Sequence, residues 1–451
     1  MALRNIERSR QVSSNKNYKP IETDWDYEAT ANRRHKYLTP SLRTFVAFQK
    51  PIILKRGHMQ YVWDEKGKQY LDCLAQNLCI SVGHCHPFVT SEAMKQAEEL
   101  THCTTMYYQP VPAHFGEELG AKMPPGEDWV AHFVNSGAEA NDLAVLMARL
   151  YTGNFDLLAL RNSFHGLHFG AMSLTGIKTC HQNVPQNHGI IHVHNPDQYR
   201  GVHGATVDPY IKEIEITINS STPGQIAGII IEPIQGFGGV IPMPKGYLAG
   251  AFESVRAAGG VCIIDEVQTG FARMGTDMWG FQAHGVTPDI VVMAKGIGNG
   301  YPLAAVVAKR EIAEAMSQKK FFNTYGSNPM ACAAGRAVLR IIDEDGMMEN
   351  AKVTGNLLMK RLEAVKNRHD VIGDYRGRGL MIGVEFVKDR TTKEPAPEEA
   401  ARIVEAAKDH GLIVGRGGVF GNIMRINPPI CVTEKDMEFV ADVLDESCQK
   451  L

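Results

Sequence analysis

The chain reads as an α/β protein: a large domain built on a mostly parallel sheet, and a smaller α+β domain assembled from N- and C-terminal segments. Three observations predict this. Between roughly 90 and 330, short, fully apolar runs at 157–160, 226–231, 261–264, 290–293 and 303–307 alternate with helical patterns. Strands buried on both faces belong to parallel sheets covered by helices. Two of the runs lead into ionisable residues, Asp265 and Lys295, which therefore stand at the carboxyl ends of strands, where open α/β sheets hold ligands. After Pro329 the pattern changes to long helical stretches around one alternating segment, 380–386.

Taken in order, residues 1–40 are polar and without periodicity, and read as an extended arm. Residues 41–89 form the N-terminal part of the small domain: from Pro51 to Asp72 the pattern alternates around Gly57 and Gly67, as in a short antiparallel meander. Residues 90–329 form the large domain. Its helix after Asn141 carries Leu143, Leu146, Met147 and Leu150 at helical spacing. Residues 330–451 complete the small domain, with a helix near 398–410 and a last helix capped by Thr433 whose apolar face is Met437, Val440, Ala441 and Leu444.

The 451 residues carry 47 basic and 50 acidic side chains, a balance that argues against nucleic acid as a partner. No apolar segment approaches the ~20 residues that span a bilayer, so a soluble protein is expected, with no membrane partner. Nine scattered cysteines without a Cys-x-x-Cys read as reduced thiols and place the chain in the cytoplasm. The Arg-rich first ten residues resemble the start of a mitochondrial transit peptide, but Glu7 and the lack of an apolar face count against one.

An amine and a carboxylate, each at a buried strand end, suit pyridoxal phosphate. That cofactor takes a lysine onto its aldehyde and an acid beside its pyridine nitrogen. A structural ion pair would use the same two residues. In Asn135-Ser136-Gly137-Ala138-Glu139-Ala140-Asn141, Ser136, Gly137 and Ala138 precede an amphipathic helix and would offer backbone N–H groups to a phosphate; a plainly capped helix reads alike. Phe164, in Ser163-Phe164-His165-Gly166, can stack on a pyridine face and Val267 can cover the other. Gln268 can donate to the ring hydroxyl, and His165 joins the cofactor-binding set. His84 and His86 flank Cys85 without a third ligand cluster, so no metal is expected.

The chain resembles the class III, fold-type I pyridoxal-phosphate aminotransferases, most of all the alanine–glyoxylate aminotransferase 2 group. The likeness runs from about Pro51 to the C-terminus. It rests on Tyr61-Val-Trp-Asp64, Val82-Gly-His-Cys-His-Pro87, the Asn135–Asn141 motif, Glu232-Pro-Ile-Gln-Gly236, Asp265-Glu-Val-Gln-Thr-Gly270, Met293-Ala-Lys-Gly-Ile-Gly-Asn-Gly300 and Asn328-Pro-Met-Ala-Cys332, in that order. The resemblance implies amino transfer from an amino acid or amine to a 2-oxo acid such as pyruvate or glyoxylate. It implies that Lys295 bonds the cofactor, Asp265 pairs with its ring nitrogen, and Glu232 lies near it. Thr324 would reach the phosphate of a neighbouring subunit's cofactor in a homodimer, or in a dimer of dimers. Arg425 would grip a substrate carboxylate, and Phe237 stands where some relatives carry a glutamate that masks this arginine. Gln76 and Asn77 depart from the small residues usual in the substrate-lining segment and would suit a polar substrate head. A lyase acting on a phosphorylated, phosphonate or hydroxylated amine would use the same motifs.

Overall fold

The computed structural model describes residues 19–43, 48–186 and 188–450. Part of the expected arm, 1–18, lies outside them. Its described part corrects the extended reading, because Tyr27–Tyr37 is helical. Asp26 accepts the Ala29 N–H at 2.8 Å, Glu28 lies in the first turn, and Arg34, His35 and Lys36 lie in the last. Capping and charges matched to the helix dipole form this helix, and none of its residues is buried.

The expected meander is present. Strands β1 (Leu54–His58), β2 (Tyr61–Asp64) and β3 (Gln69–Asp72) pair antiparallel, with Gly67 at φ +86° in the tight turn between the last two.

The large sheet contains β4 (Trp129–Val134), β5 (Leu157–Leu160), β6 (Ile190–Val193) and β7 (Gly228–Ile231). A two-residue hairpin, β8 (Ile234–Gln235) and β9 (Ile241–Pro242), follows β7. Then come β10 (Val261–Asp265), β11 (Ile290–Met293) and β12 (Ala304–Lys309). The sheet order is β4-β12-β11-β10-β7-β5-β6, with β12 antiparallel to both its neighbours and every other pairing parallel. Strands β5, β7, β10 and β11 are buried throughout. Their side chains alternate between two cores: Leu158, Ile229, Cys262, Ile264 and Val291 face one, and Leu157, Ile230, Ile263, Ile290 and Val292 face the other.

The helix Gly137–Thr152 corrects a second expectation. Leu143 and Met147 are buried, but Leu146 and Leu150 are 38% and 50% exposed. Ala140, Ala144 and Ala148 fill the inward face instead, and such small side chains let the helix lie close on the sheet.

After helices Pro329–Glu344 and Met347–Arg368 comes a second sheet of β13 (Ile372–Arg378), β14 (Met381–Asp389) and the short edge β15 (Glu394–Pro395). The helix Pro397–Asp409 leads to β16 (Leu412–Ile413), which pairs parallel with β3 and so binds the two ends of the chain into one unit. Strands β17 (Gly415–Gly417) and β18 (Ile423–Ile426) complete the second sheet. The last helix, Glu434–Gln449, begins as expected: Thr433 and Asp436 cap each other, and Met437, Val440, Ala441 and Leu444 are buried. Among the described residues no helix is long and apolar enough to cross a membrane.

Candidate active site

Most of the expected residues converge because they follow the carboxyl ends of strands in the large sheet. Ser136 and Gly137 follow β4, Phe164 and His165 follow β5, Glu232 follows β7, Asp265 ends β10, and Lys295 follows β11. Ser136 caps the helix Gly137–Thr152 by accepting the Glu139 N–H at 3.2 Å, while helix geometry leaves the first amides, at Gly137 and Ala138, without an internal partner. A β-carbon on Gly137 would sit 3.3 Å from both γ-carbons of Val267, and one on Gly166 would sit 2.6 Å from the Ala138 β-carbon. The turn at Ser136 and Gly137, Val267 and the Phe164 loop are therefore packed against one another. Phe164 and Val267 are half-buried, as the walls of an open slot would be.

Asp265 is the polar centre of the site. Its Oδ2 accepts from Asn141 Nδ2 at 3.0 Å and meets His165 Nδ1 at 2.8 Å, and its Oδ1 accepts the Val267 N–H at 3.0 Å. Burial works to raise its pKa, but the bond and charge of His165 and the bond from Asn141 outweigh it and hold the carboxyl below the usual range. Asn141 also donates to the His165 carbonyl at 2.8 Å, which fixes both partners of Asp265 together. Asn141 was not among the expected site residues. Glu232 accepts the N–H groups of Phe164 at 2.9 Å and Gly236 at 3.0 Å, so one buried acid ties the Phe164 loop to the loop carrying Phe237. Burial first, and Asp265 second, push its pKa up to about 7 against the opposing charge of His165.

Lys295 opens the 3₁₀ turn Lys295–Gly298 in a left-handed conformation, φ +50°. It keeps some access to the cleft. Burial of its amine lowers the pKa, Arg425 lowers it further, and Asp265, Cys79 and Glu232 oppose both. Arg425, on β18, is only 4% exposed. Its Nη2 donates to Gln268 Oε1 at 2.9 Å, its guanidinium lies 5.9 Å from the Phe237 ring, and its Nε has no partner among the described residues. The pKa of this buried cation is pushed down to about 10 by burial, with Glu232 opposing. Because Arg425 takes the oxygen of the Gln268 amide, the amide's N–H₂ is left to face elsewhere.

Gln76 and Asn77 are exposed beside these groups. Ala75, Gln76, Asn77 and Leu78 all have positive φ, between 49° and 65°. One turn of left-handed helix costs roughly 1–2 kcal/mol per residue with a side chain, asparagine tolerating it best. The segment after this turn is pinned to the Lys295 loop: Ser81 Oγ donates to the Gly296 carbonyl at 2.7 Å, and Asn299 Oδ1 accepts the N–H groups of Ser81 and Val82. On the other side, Leu74 packs against Gly415, the residue paired with Arg425 across β17 and β18.

Thr324 is not brought into this cluster. It is exposed, next to Asn323, which accepts from Asn135 Nδ2 at 3.0 Å. His84 meets Asp72 at 2.9 Å and His86 caps the helix Pro87–Glu99, so the two flank Cys85 in unrelated roles.

The profile of the class-III aminotransferases matches residues 46–447. This chain belongs to that family. It is 46% identical to alanine–glyoxylate aminotransferase 2 homolog 2, mitochondrial, of Arabidopsis thaliana over 432 residues, covering 96% of this chain and 90% of that one. This class-III aminotransferase also superposes on a crystal structure of a Bacillus anthracis aminotransferase with TM-score 0.87 and 30% identity, covering 96% of this chain and 100% of the other. An Arthrobacter phospholyase in complex with phosphoethanolamine matches it with TM-score 0.86 and 30% identity, covering 94% and 100%.

Proposed function

We propose that this aminotransferase uses pyridoxal 5'-phosphate to move the amino group of alanine, a β-amino acid or a similar amine to a 2-oxo acid such as pyruvate or glyoxylate. The observation that carries the reading is the pair of neighbouring strand ends that present Lys295 and a charge-held Asp265 to one slot. The name of the Arabidopsis relative supports alanine and glyoxylate as reactants.

The residues fit that cofactor. Ser136 and the amides of Gly137 and Ala138 would hold its phosphate, Phe164 and Val267 would cover the ring faces, and the free N–H₂ of Gln268 would meet the ring oxygen. Bound there, pyridoxal phosphate supplies an aldehyde for the lysine and a ring that accepts electrons. Asp265, kept ionised by His165 and Asn141, holds a proton on the ring nitrogen. Arg425 orients the substrate carboxylate, Lys295 carries the proton away from the substrate carbon as general base, and the ring walls exclude water. Glu232 sets the Phe164 wall.

A second reading is a lyase acting on a phosphorylated, phosphonate or hydroxylated amine. The likeness to the Arthrobacter phospholyase favours it. The two reactions share proton abstraction and part only afterwards, so the half-reaction decides. Alanine alone should convert the cofactor from its aldehyde to its amine form, with loss of the visible band, and pyruvate or glyoxylate should restore it. Release of ammonia or phosphate from a phosphorylated or hydroxylated amine, with the spectrum unchanged at the end and no conversion by alanine, would replace transfer with elimination.

The active unit we propose is a homodimer, or a dimer of dimers. Met106, Tyr107 and Tyr108 from one loop and Phe321, Phe322 and Tyr325 from another expose large apolar side chains, and the His102 and Tyr325 rings, 5.2 Å apart, join the two loops into one patch. Thr324 lies in that patch and would reach a partner's phosphate. Thr324→Ala should therefore loosen cofactor retention by about tenfold, the loss of one bond to a charged group, with the dimer intact in sedimentation. A fully active monomer would refute the shared site.

The domain limits that accompany this reading are 41–89 with 330–451 for the small domain and 90–329 for the large. Nine free thiols support a reducing compartment, for which we take the cytoplasm, with the mitochondrial matrix as the alternative that the name of the Arabidopsis relative supports.

A further inference from the structure

The left-handed turn Ala75–Leu78 lies between the Lys295 loop and the strand of Arg425, contains no glycine, and leaves Gln76 and Asn77 exposed. Asp72, fully buried at the end of β3, stands beneath it. Its Oδ1 accepts the N–H groups of Leu74 at 3.1 Å and Ala75 at 2.9 Å. Its Oδ2 accepts Gln76 Nε2 at 3.1 Å and meets His84 Nε2 at 2.9 Å. Four donors on one carboxyl group hold a backbone that its own residues disfavour. Strain of this kind persists where the surroundings over-determine it, and it clusters at functional sites.

The bond to Asp72 also orients Gln76. One of its two amide hydrogens is committed to Asp72; the other hydrogen, the carbonyl oxygen and the Asn77 amide remain, and together they can donate and accept. The outward pair therefore combines an acceptor with a donor. A hydroxyl group, which needs both, suits it. An oxyanion uses donors alone, would leave both amide oxygens without a partner and would lie near the Asp72 carboxyl group, so the pair suits it less.

We propose that Gln76 and Asn77 form a preset recognition point for a hydroxyl group on the substrate's side chain, and that Asp72 is the positioning residue that holds the turn. This rests on the reading that the two amides face the substrate, and it narrows the polar heads considered there to one class.

The test uses the holoenzyme dimer with serine and alanine as donors, which differ by one hydroxyl and share the carboxylate that Arg425 takes. The wild type should show a lower KM for serine than for alanine. Gln76→Ala and Asn77→Ala should each raise KM for serine by about tenfold and for alanine by less than about twofold. Asp72→Asn should do the same without touching the substrate, because the neutral group holds the turn less firmly. Gln76→Gly, which removes the left-handed penalty, should melt about 1–2 °C above Gln76→Ala while binding serine no better.

Alanine substitutions that leave the serine-to-alanine ratio unchanged, or a wild type that binds serine no more tightly than alanine, would overturn the contact reading and this inference together. If the alanine substitutions shift the ratio but Asp72→Asn does not, and Gln76→Gly melts no higher than Gln76→Ala, contact stands and the positioning role falls. Should Asp72→Asn fail to fold, the glycine and alanine pair at position 76 still decides.

Discussion

Lys295→Ala should lower amino transfer by about 10⁴-fold or more while leaving the protein folded and able to take up cofactor. In the proposed mechanism the side chain does two things no neighbour can replace: it would bond the cofactor aldehyde and move the proton at the substrate carbon. The nearest titratable neighbours are unsuited. Asp265 is committed to His165, Asn141 and the Val267 N–H, Glu232 to two backbone amides, and Cys79 has its thiol pKa raised by burial. The wild-type protein should also show the depressed lysine directly. Only the neutral amine captures an aldehyde, so capture by apoenzyme is slow below the Lys295 pKa, rises with pH, and levels off above it. Burial lowers that pKa, so the rise should be centred below the ordinary lysine value. Rapid-mixing absorbance between roughly pH 6 and 10 reads it. A midpoint at or above the ordinary value, or an alanine variant that retains transfer, would remove Lys295 from its assigned role.

Arg425→Ala should raise KM for a 2-oxo acid by roughly 30- to 1000-fold, about 2–4 kcal/mol, and change KM for a simple aldehyde acceptor little. The size of the effect follows from the surroundings. The guanidinium is 4% exposed, and among the described residues its one hydrogen bond goes to a neutral amide and no carboxylate lies within hydrogen-bond reach of it. A buried cation so placed gains most when a carboxylate arrives. The neutral Gln268 and the Phe237 ring hold it without cancelling its charge. Steady-state kinetics with pyruvate and propanal separates the roles: equal losses for both acceptors would make Arg425 a structural residue.

Much of this site was legible before any coordinates, for a particular reason. Parallel strands covered on both faces must be apolar throughout, so a charge at the end of such a run is conspicuous; Asp265 and Lys295 are both of this kind. Elements whose signals are local were legible too, such as the cap that Thr433 places on the last helix. The helix Tyr27–Tyr37 has no apolar period to mark it in the sequence; only Asp26 and the charges at its two ends announce it. Leu146 and Leu150 were assigned to the wrong face because spacing establishes a helix but not which side meets the sheet.

Other features have no local signal. Asn141 bonds Asp265 across 124 positions, and Arg425 bonds Gln268 across 157. The left-handed backbone at 75–78 cannot be read from Ala-Gln-Asn-Leu, of which only asparagine tolerates it well. Asp72 and the packing of Leu74 and Ser81 impose it from outside.

The sequence alone determined the kind of protein and pointed to the groups proposed to react, since strand burial, helix starts and the order of the motifs are written in neighbouring residues. Tertiary structure decided the state in which those groups act: the ionised Asp265, the depressed Lys295, the unneutralised Arg425 and the strained amide turn. Charge and strain depend on what is buried beside a group, and here those neighbours come from strand ends and loops far apart in the chain.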